Sequence, residues 1–137
     1  NEYQLTDALQ LMIERGEEFS TFEIEAWYDC GKPETLLETN RHLLGLRSAK
    51  HPGFEGSVIL DPVEIGVDVE IRNSVVGPFV SVGAGSKVEN TVIRDSIVGE
   101  NCSLSNLSLD LSIVGNNAQA VGRAAKLNLG DSTSIDL

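Results

Sequence analysis

The sequence predicts a mainly β chain: a stack of short parallel coils behind a small α/β segment. Three observations carry this. First, a segment recurs in the second half: Val82-Gly83-Ala84-Gly85-Ser86-Lys87-Val88 superposes on Val98-Gly99-Glu100-Asn101-Cys102-Ser103-Leu104, and a third copy starts, after the same interval, at Val114-Gly115-Asn116-Asn117. Second, aliphatic residues recur there every five or six positions, at Ile59, Ile65, Ile71, Val76, Val82, Val88, Ile93, Val98, Leu104, Leu109 and Val114. That period is neither the 3.6 of a helix nor the 2 of an ordinary strand. Third, Phe79 is the only aromatic residue after position 57, which suits a core too narrow for rings.

The elements follow in chain order. Leu5, Ala8, Leu9, Met12 and Ile13 fall on one helical face, with Thr6 as a cap and Gly16 as a stop. From Phe19 to Tyr28, Phe22, Ile24 and Ala26 alternate with Thr21, Glu23, Glu25 and Trp27, which predicts a half-buried strand. Asp29-Cys30-Gly31 reads as a turn. Pro33 suits a first helical position, Glu34 complements the positive helix end, and Leu36, Leu37, Leu43 and Leu44 supply an apolar stripe that Gly45 ends. Residues 46–57 contain Pro52, Gly53 and Gly56 without a sustained period and read as a linker. The predicted units are therefore 1–45, the 46–57 linker and the coils of 58–137.

Within the coils, each short strand is expected to point one aliphatic inward before a corner, with three corners closing one triangular turn. An earlier copy at Ile65-Gly66 stands one position further from Val82-Gly83 than Val82-Gly83 stands from Val98-Gly99, so one corner must absorb an extra residue. About five coils at ~4.8 Å per layer make a prism of roughly 24 Å. Residues 127–137 break the period, as a cap over the last strand edge would.

Charge narrows the function. Ten Lys and Arg against 21 Asp and Glu give a net charge of −11, which repels nucleic acid and anionic membrane surfaces. No run of apolar residues is long enough to span a bilayer. Cys30 and Cys102, far apart and without a metal-binding spacing, fit a reduced, cytoplasmic protein.

The recurring Ile/Val-Gly unit, at Ile65-Gly66, Val76-Gly77, Val82-Gly83, Val98-Gly99 and Val114-Gly115, resembles the hexapeptide repeat of left-handed parallel β-helices. The handedness is implied by that resemblance. Glu2-Tyr3-Gln4-Leu5-Thr6-Asp7 and Trp27-Tyr28-Asp29-Cys30-Gly31-Lys32-Pro33-Glu34, followed by Leu36-Leu37-Glu38-Thr39-Asn40, are similar to the end of the catalytic domain of sugar-1-phosphate nucleotidyltransferases. The form of the second element resembles long-form glucose-1-phosphate thymidylyltransferases, which carry a hexapeptide β-helix after this same helix. The resemblance makes residues 1–45 the C-terminal remnant of a nucleotidyltransferase domain.

It implies a reaction in which a sugar 1-phosphate attacks the α-phosphorus of a nucleoside triphosphate and releases pyrophosphate, with Mg²⁺ at the phosphates; dTTP and glucose 1-phosphate are the substrates it favours. Asp29 matches a metal-binding aspartate, and Trp27, Thr6 and Glu2 match positions in or near the sugar pocket. From the residues alone, Asp29 reads first as a turn residue, while Trp27 can be a core residue and Thr6 a helix cap. Nothing in the 137 residues resembles the family's G-x-G-T-R loop or its upstream aspartate, so no complete catalytic set is present and the chain is expected to be an inactive C-terminal piece of a longer enzyme. Cys30 stands where Thr or Val is commoner. The resemblance also suggests a homo-oligomer.

Two alternatives stand beside this. The coils could serve as a non-catalytic oligomerisation or regulatory module. Hexapeptide acyltransferases share the β-helix but use a histidine base within the coils, whereas His42 and His51 both precede the first coil.

Overall fold

The computed structural model of the chain describes residues 4–47 and 51–123. Helix α1 (Leu5–Glu14) is followed by an extended stretch, helix α2 (Pro33–Gly45) and twelve short strands. Gly16, at φ 82°, takes the left-handed conformation that stops α1. Thr6 does not cap it. The cap position is Gln4, which makes no side-chain hydrogen bond, and Thr6 is the second helical residue.

The strand expected at Phe19–Tyr28 does not form. Phe22, Ile24 and Trp27 are exposed. Alternation marks a chain fit to be a half-buried strand, but a strand exists only where a neighbour supplies hydrogen bonds and a face to cover, and no described residue does so here. α2 begins as expected, with Pro33 in its first turn behind an extended Lys32.

The strands are β1 (Val58–Ile59), β2 (Val63–Ile65), β3 (Glu70–Arg72), β4 (Val75–Val76), β5 (Val80–Val82), β6 (Lys87–Glu89), β7 (Val92–Arg94), β8 (Ile97–Val98), β9 (Ser103–Ser105), β10 (Ser108–Asp110), β11 (Ile113–Val114) and β12 (Gln119–Val121). Each pairs in parallel with the strand three places on. The result is three four-stranded sheets, β1-β4-β7-β10, β2-β5-β8-β11 and β3-β6-β9-β12, forming a β-solenoid. The described residues make four coils rather than five, a stack of roughly 19 Å at ~4.8 Å per layer. The expected cap at 127–137 lies outside the described residues.

Register explains the period. Ile59, Val76, Ile93 and Leu109 stack in one inward column, Ile65, Val82, Val98 and Val114 in a second, and Ile71, Val88, Leu104 and Ala120 in a third. Each strand gives one residue to these columns, and β2 and β5 bury Val63 and Val80 as well, so the column spacing is the distance from one prism face to the next. Each fully buried aliphatic contributes about 1.5–3 kcal/mol of transfer free energy. The offset between paired strands is longer by one position at Val76↔Ile93 than at Ser81↔Ile97, which places the extra residue in the Gly77-Pro78-Phe79 corner.

Corners are built by two devices. Residues with positive φ turn the chain: Asn73, Asn90 and Asn106 at one corner, Asp68, Gly85, Asn101 and Asn117 at another, and Phe79, Asp95 and Leu111 at the third. Asn, Asp and Gly tolerate that conformation best. Buried hydroxyls then tie coils together: the Ser74 hydroxyl donates to the Arg72 carbonyl at 2.7 Å and accepts the Thr91 N–H at 3.1 Å, and Thr91 donates to the Glu89 carbonyl at 2.7 Å.

The glycines after Ile65, Val76, Val82 and Val98 have a packing reason. A Cβ on Gly83 would lie 2.5 Å from the Gly99 carbonyl carbon and 2.6 Å from the Glu100 nitrogen. The next coil's backbone passes too close for a side chain.

The three outer faces differ. The β3-β6-β9-β12 face is charged, with Lys87 3.0 Å and Arg72 3.5 Å from Glu70. The β1-β4-β7-β10 face exposes Val58 and Val92. The β2-β5-β8-β11 face carries α2, whose Leu44 is buried.

Candidate functional site

Where the extended stretch meets α2, Trp27, Tyr28, Asp29, Thr35, Glu38, Thr39 and His42 line an open cleft of about 350 Å³. Local chemistry shapes its floor. The Gly31 N–H donates to Asp29 Oδ1 at 2.9 Å, closing a turn that brings the chain into Pro33. Asp29 therefore fills the turn role its residue type suggests, and the same bond fixes the carboxylate at the cleft.

The α2 side follows from helical spacing. Thr35, Glu38, Thr39 and His42 stand at i, i+3, i+4 and i+7, on one face. The Thr39 hydroxyl donates to the Thr35 carbonyl at 2.8 Å, and the Cys30 thiol reaches Thr39 Oγ1 at 3.7 Å. The His42 ring lies 5.1 Å from that of Tyr28, tilted by 34°.

The sequence-predicted residues divide. Trp27 and Asp29 share the cleft. Trp27 is 81% exposed, so it is not the core residue that its type alone would suggest. Thr6 lies on exposed α1 and is not among the cleft's lining residues. Glu2 lies outside the described residues. Sequence reasoning misses Tyr28, Thr35, Glu38, Thr39 and His42 as site residues, although the i, i+3, i+4, i+7 spacing of the last four is a readable signal.

Asp29 is a partial fit to a Mg²⁺ site. That ion takes one or two protein carboxylates and completes its shell with water and phosphate oxygens. Asp29 can be one such ligand, while among the described residues no group of three or more His, Cys, Asp or Glu is placed to hold a metal. Neither histidine lies among the coils' strands: His42 is in the cleft wall, and His51 Nε2 sits 3.2 Å from the Val63 carbonyl. Cys102 is buried in the core and Cys30 exposed. Among the described residues no helix is long and apolar enough to cross a membrane.

Comparison with curated proteins gives the family context. The chain is 30% identical, over 99% of its length, to a glucose-1-phosphate thymidylyltransferase of Streptomyces griseus, and 26% identical over 99% to that of Streptomyces antibioticus. It is 31% identical over 71% of its length to the low-salt glycan biosynthesis nucleotidyltransferase Agl11 of Haloferax volcanii. The chain spans 46% of the first two proteins and 33% of the third. No protein-family profile matches it, and no solved structure matches it significantly.

Proposed function

We propose, from the premise that this chain is a relative of nucleotidyltransferases, that it forms one edge of the active site of a sugar-1-phosphate nucleotidyltransferase together with that enzyme's β-solenoid. The observation that carries the reading is similarity running through both the cleft segment and the coils, over 99% of the chain. The favoured reaction joins dTTP and glucose 1-phosphate: a phosphate oxygen of the sugar 1-phosphate attacks the α-phosphorus, and pyrophosphate leaves.

In this reading the cleft is the sugar side. Exposed Trp27 offers a flat amphipathic surface to the sugar ring, and Asp29, held by Gly31, presents a carboxylate toward the phosphates. Asp29 would hold Mg²⁺, which when bound neutralises phosphate charge. Glu2 and Thr6 stay in the proposal as residues near the sugar pocket, with Thr6 requiring α1 to pack closer than it does in this chain. The 137 residues alone are proposed to be inactive, because they supply no triphosphate-cradling loop.

The test is pyrophosphate release from dTTP and glucose 1-phosphate with Mg²⁺, by this chain alone and by the full product of its gene. Release by the full product alone is expected. Turnover by the chain alone overturns the partial-site reading, and release by neither, across all common nucleoside triphosphates and hexose 1-phosphates, overturns nucleotidyl transfer.

A second reading, a module for assembly of a homo-oligomer, draws on Val58 and Val92, exposed on the β1-β4-β7-β10 face beside the Arg94–Asp110 ion pair. Sedimentation of the chain tests it: a monomer at high micromolar concentration removes that reading.

A further inference from the structure

We infer that the solenoid positions the candidate cleft, through a clamp on the far side of α2 in which Arg41 and Asn40 are positioning residues and Asp95, Phe79 and Ser81 their anchors. The inference rests on the nucleotidyltransferase reading for its consequence in turnover, but its geometry stands without it.

α2 is a two-faced wall. Thr35, Glu38, Thr39 and His42 face the cleft. At 3.6 residues per turn, Asn40, Arg41 and Leu44 fall roughly 180° away, and these, with Arg47 just past the helix end, meet the solenoid or lie buried against it. Arg41 pairs with Asp95 and lies over the Phe79 ring, 4.2 Å from its centre. Asn40 accepts the Ser81 hydroxyl at 2.6 Å and donates to the Phe79 carbonyl at 3.4 Å. Leu44 is 4% exposed, and Arg47 reaches Glu64 at 3.5 Å.

The anchors occupy unusual ground. Phe79 and Asp95 are equivalent corner residues of successive coils, both at positive φ, 58° and 45°. A bulky aromatic in that conformation is strained, and such strain persists where surroundings over-determine it. Here the corner turns the Phe79 ring under one guanidinium and its carbonyl toward the neighbouring amide. One helix turn is thereby gripped from two coils.

The segment before α2 has no comparable hold. Residues 17–31 are exposed and pair with no strand, so the cleft's geometry depends on α2, and α2 depends on this clamp. A misplacement of about 1 Å in a positioning element can cost on the order of 100-fold in rate.

The experiment uses Arg41→Ala, Asp95→Asn and the conservative Arg41→Lys. Asp95→Asn keeps a residue tolerant of positive φ, so the corner survives. In the isolated chain, amide hydrogen exchange of α2 should accelerate roughly tenfold in Arg41→Ala and Asp95→Asn, with coil amides unchanged and the His42 and Tyr28 ring resonances shifted. Arg41→Lys, which keeps the positive charge beside Asp95, should show only part of both changes. In the full gene product, the KM for sugar 1-phosphate should rise roughly tenfold, with the KM for the nucleotide unaffected. Unchanged α2 exchange and ring shifts overturn the clamp. Loosened α2 with an unchanged sugar KM overturns positioning while leaving the reaction in place. If the parent enzyme turns over no sugar 1-phosphate, the reaction fails, and exchange and ring shifts alone decide whether the solenoid holds the cleft.

Discussion

At Asp29 local folding meets the proposed chemistry in one side chain. Its Oδ1 accepts the Gly31 N–H, so the carboxylate is already oriented before any ligand arrives. Asn can accept the same bond, which makes Asp29→Asn a clean removal of charge. Under the proposed nucleotidyl transfer, kcat of the full gene product should fall by roughly 100-fold, the scale of losing one preorganised electrostatic group, with a weakened Mg²⁺ dependence and unaltered circular dichroism. An unchanged metal titration would return Asp29 to a turn residue only. Gly83 makes the opposite point, since its importance lies in having no side chain. Gly83→Ala should lower stability by about 1–3 kcal/mol, the range for overpacking, because the obstructing atoms are the Gly99 and Glu100 backbone. Gly115→Ala, which meets nothing within 4 Å, should be nearly neutral in the same urea titration.

Among the elements, coil corners carry more information than their polar residues suggest. Ser74 is 3% exposed and its hydroxyl satisfies the Thr91 amide of the next coil. Ser74→Ala should therefore cost about 1–3 kcal/mol, the penalty for a buried donor left unpaired, read as a lower urea midpoint at unchanged slope. These hydroxyls are invisible in the sequence, because a serine beside an asparagine reads equally as a solvated turn. The inward columns are legible, since an aliphatic recurs at each column position whatever the corners contain. The alternation of Phe22, Ile24 and Ala26 is just as plain, yet produces no strand: a strand needs a partner, and a partner is not encoded in the strand's own pattern. Thr6 fails as a cap for a related reason, since α1 starts two residues earlier than the hydroxyl could serve. The two faces of α2 are readable from spacing, but which face meets the coils requires the fold.

At the scale of the whole molecule, the charges that tie coils together set an acid limit. The hydrogen bond and charge of Lys87 hold Glu70 below its usual 4.5, and the hydrogen bond from Arg94, 2.5 Å away, holds Asp110 below 3.8. For a carboxylate with a depressed folded-state pKa, the stabilisation is fully present above the unfolded value and is lost as pH falls through the folded one. The solenoid should thus lose stability below about pH 4.5, modestly because these pairs are exposed. Combining Glu70→Gln with Asp110→Asn should flatten the limb between pH 5 and 3 in thermal melts; an equally steep limb would assign acid sensitivity elsewhere. A last consequence comes from the change in offset at the Gly77-Pro78-Phe79 corner. Since each coil touches only the one before and after, evolution can lengthen or shorten this protein by whole layers, while single insertions are admissible only where the chain bends. Homologues of unequal length should therefore differ in steps of one layer, and the steps should fall beyond the Asp95 corner, where α2 has already been secured.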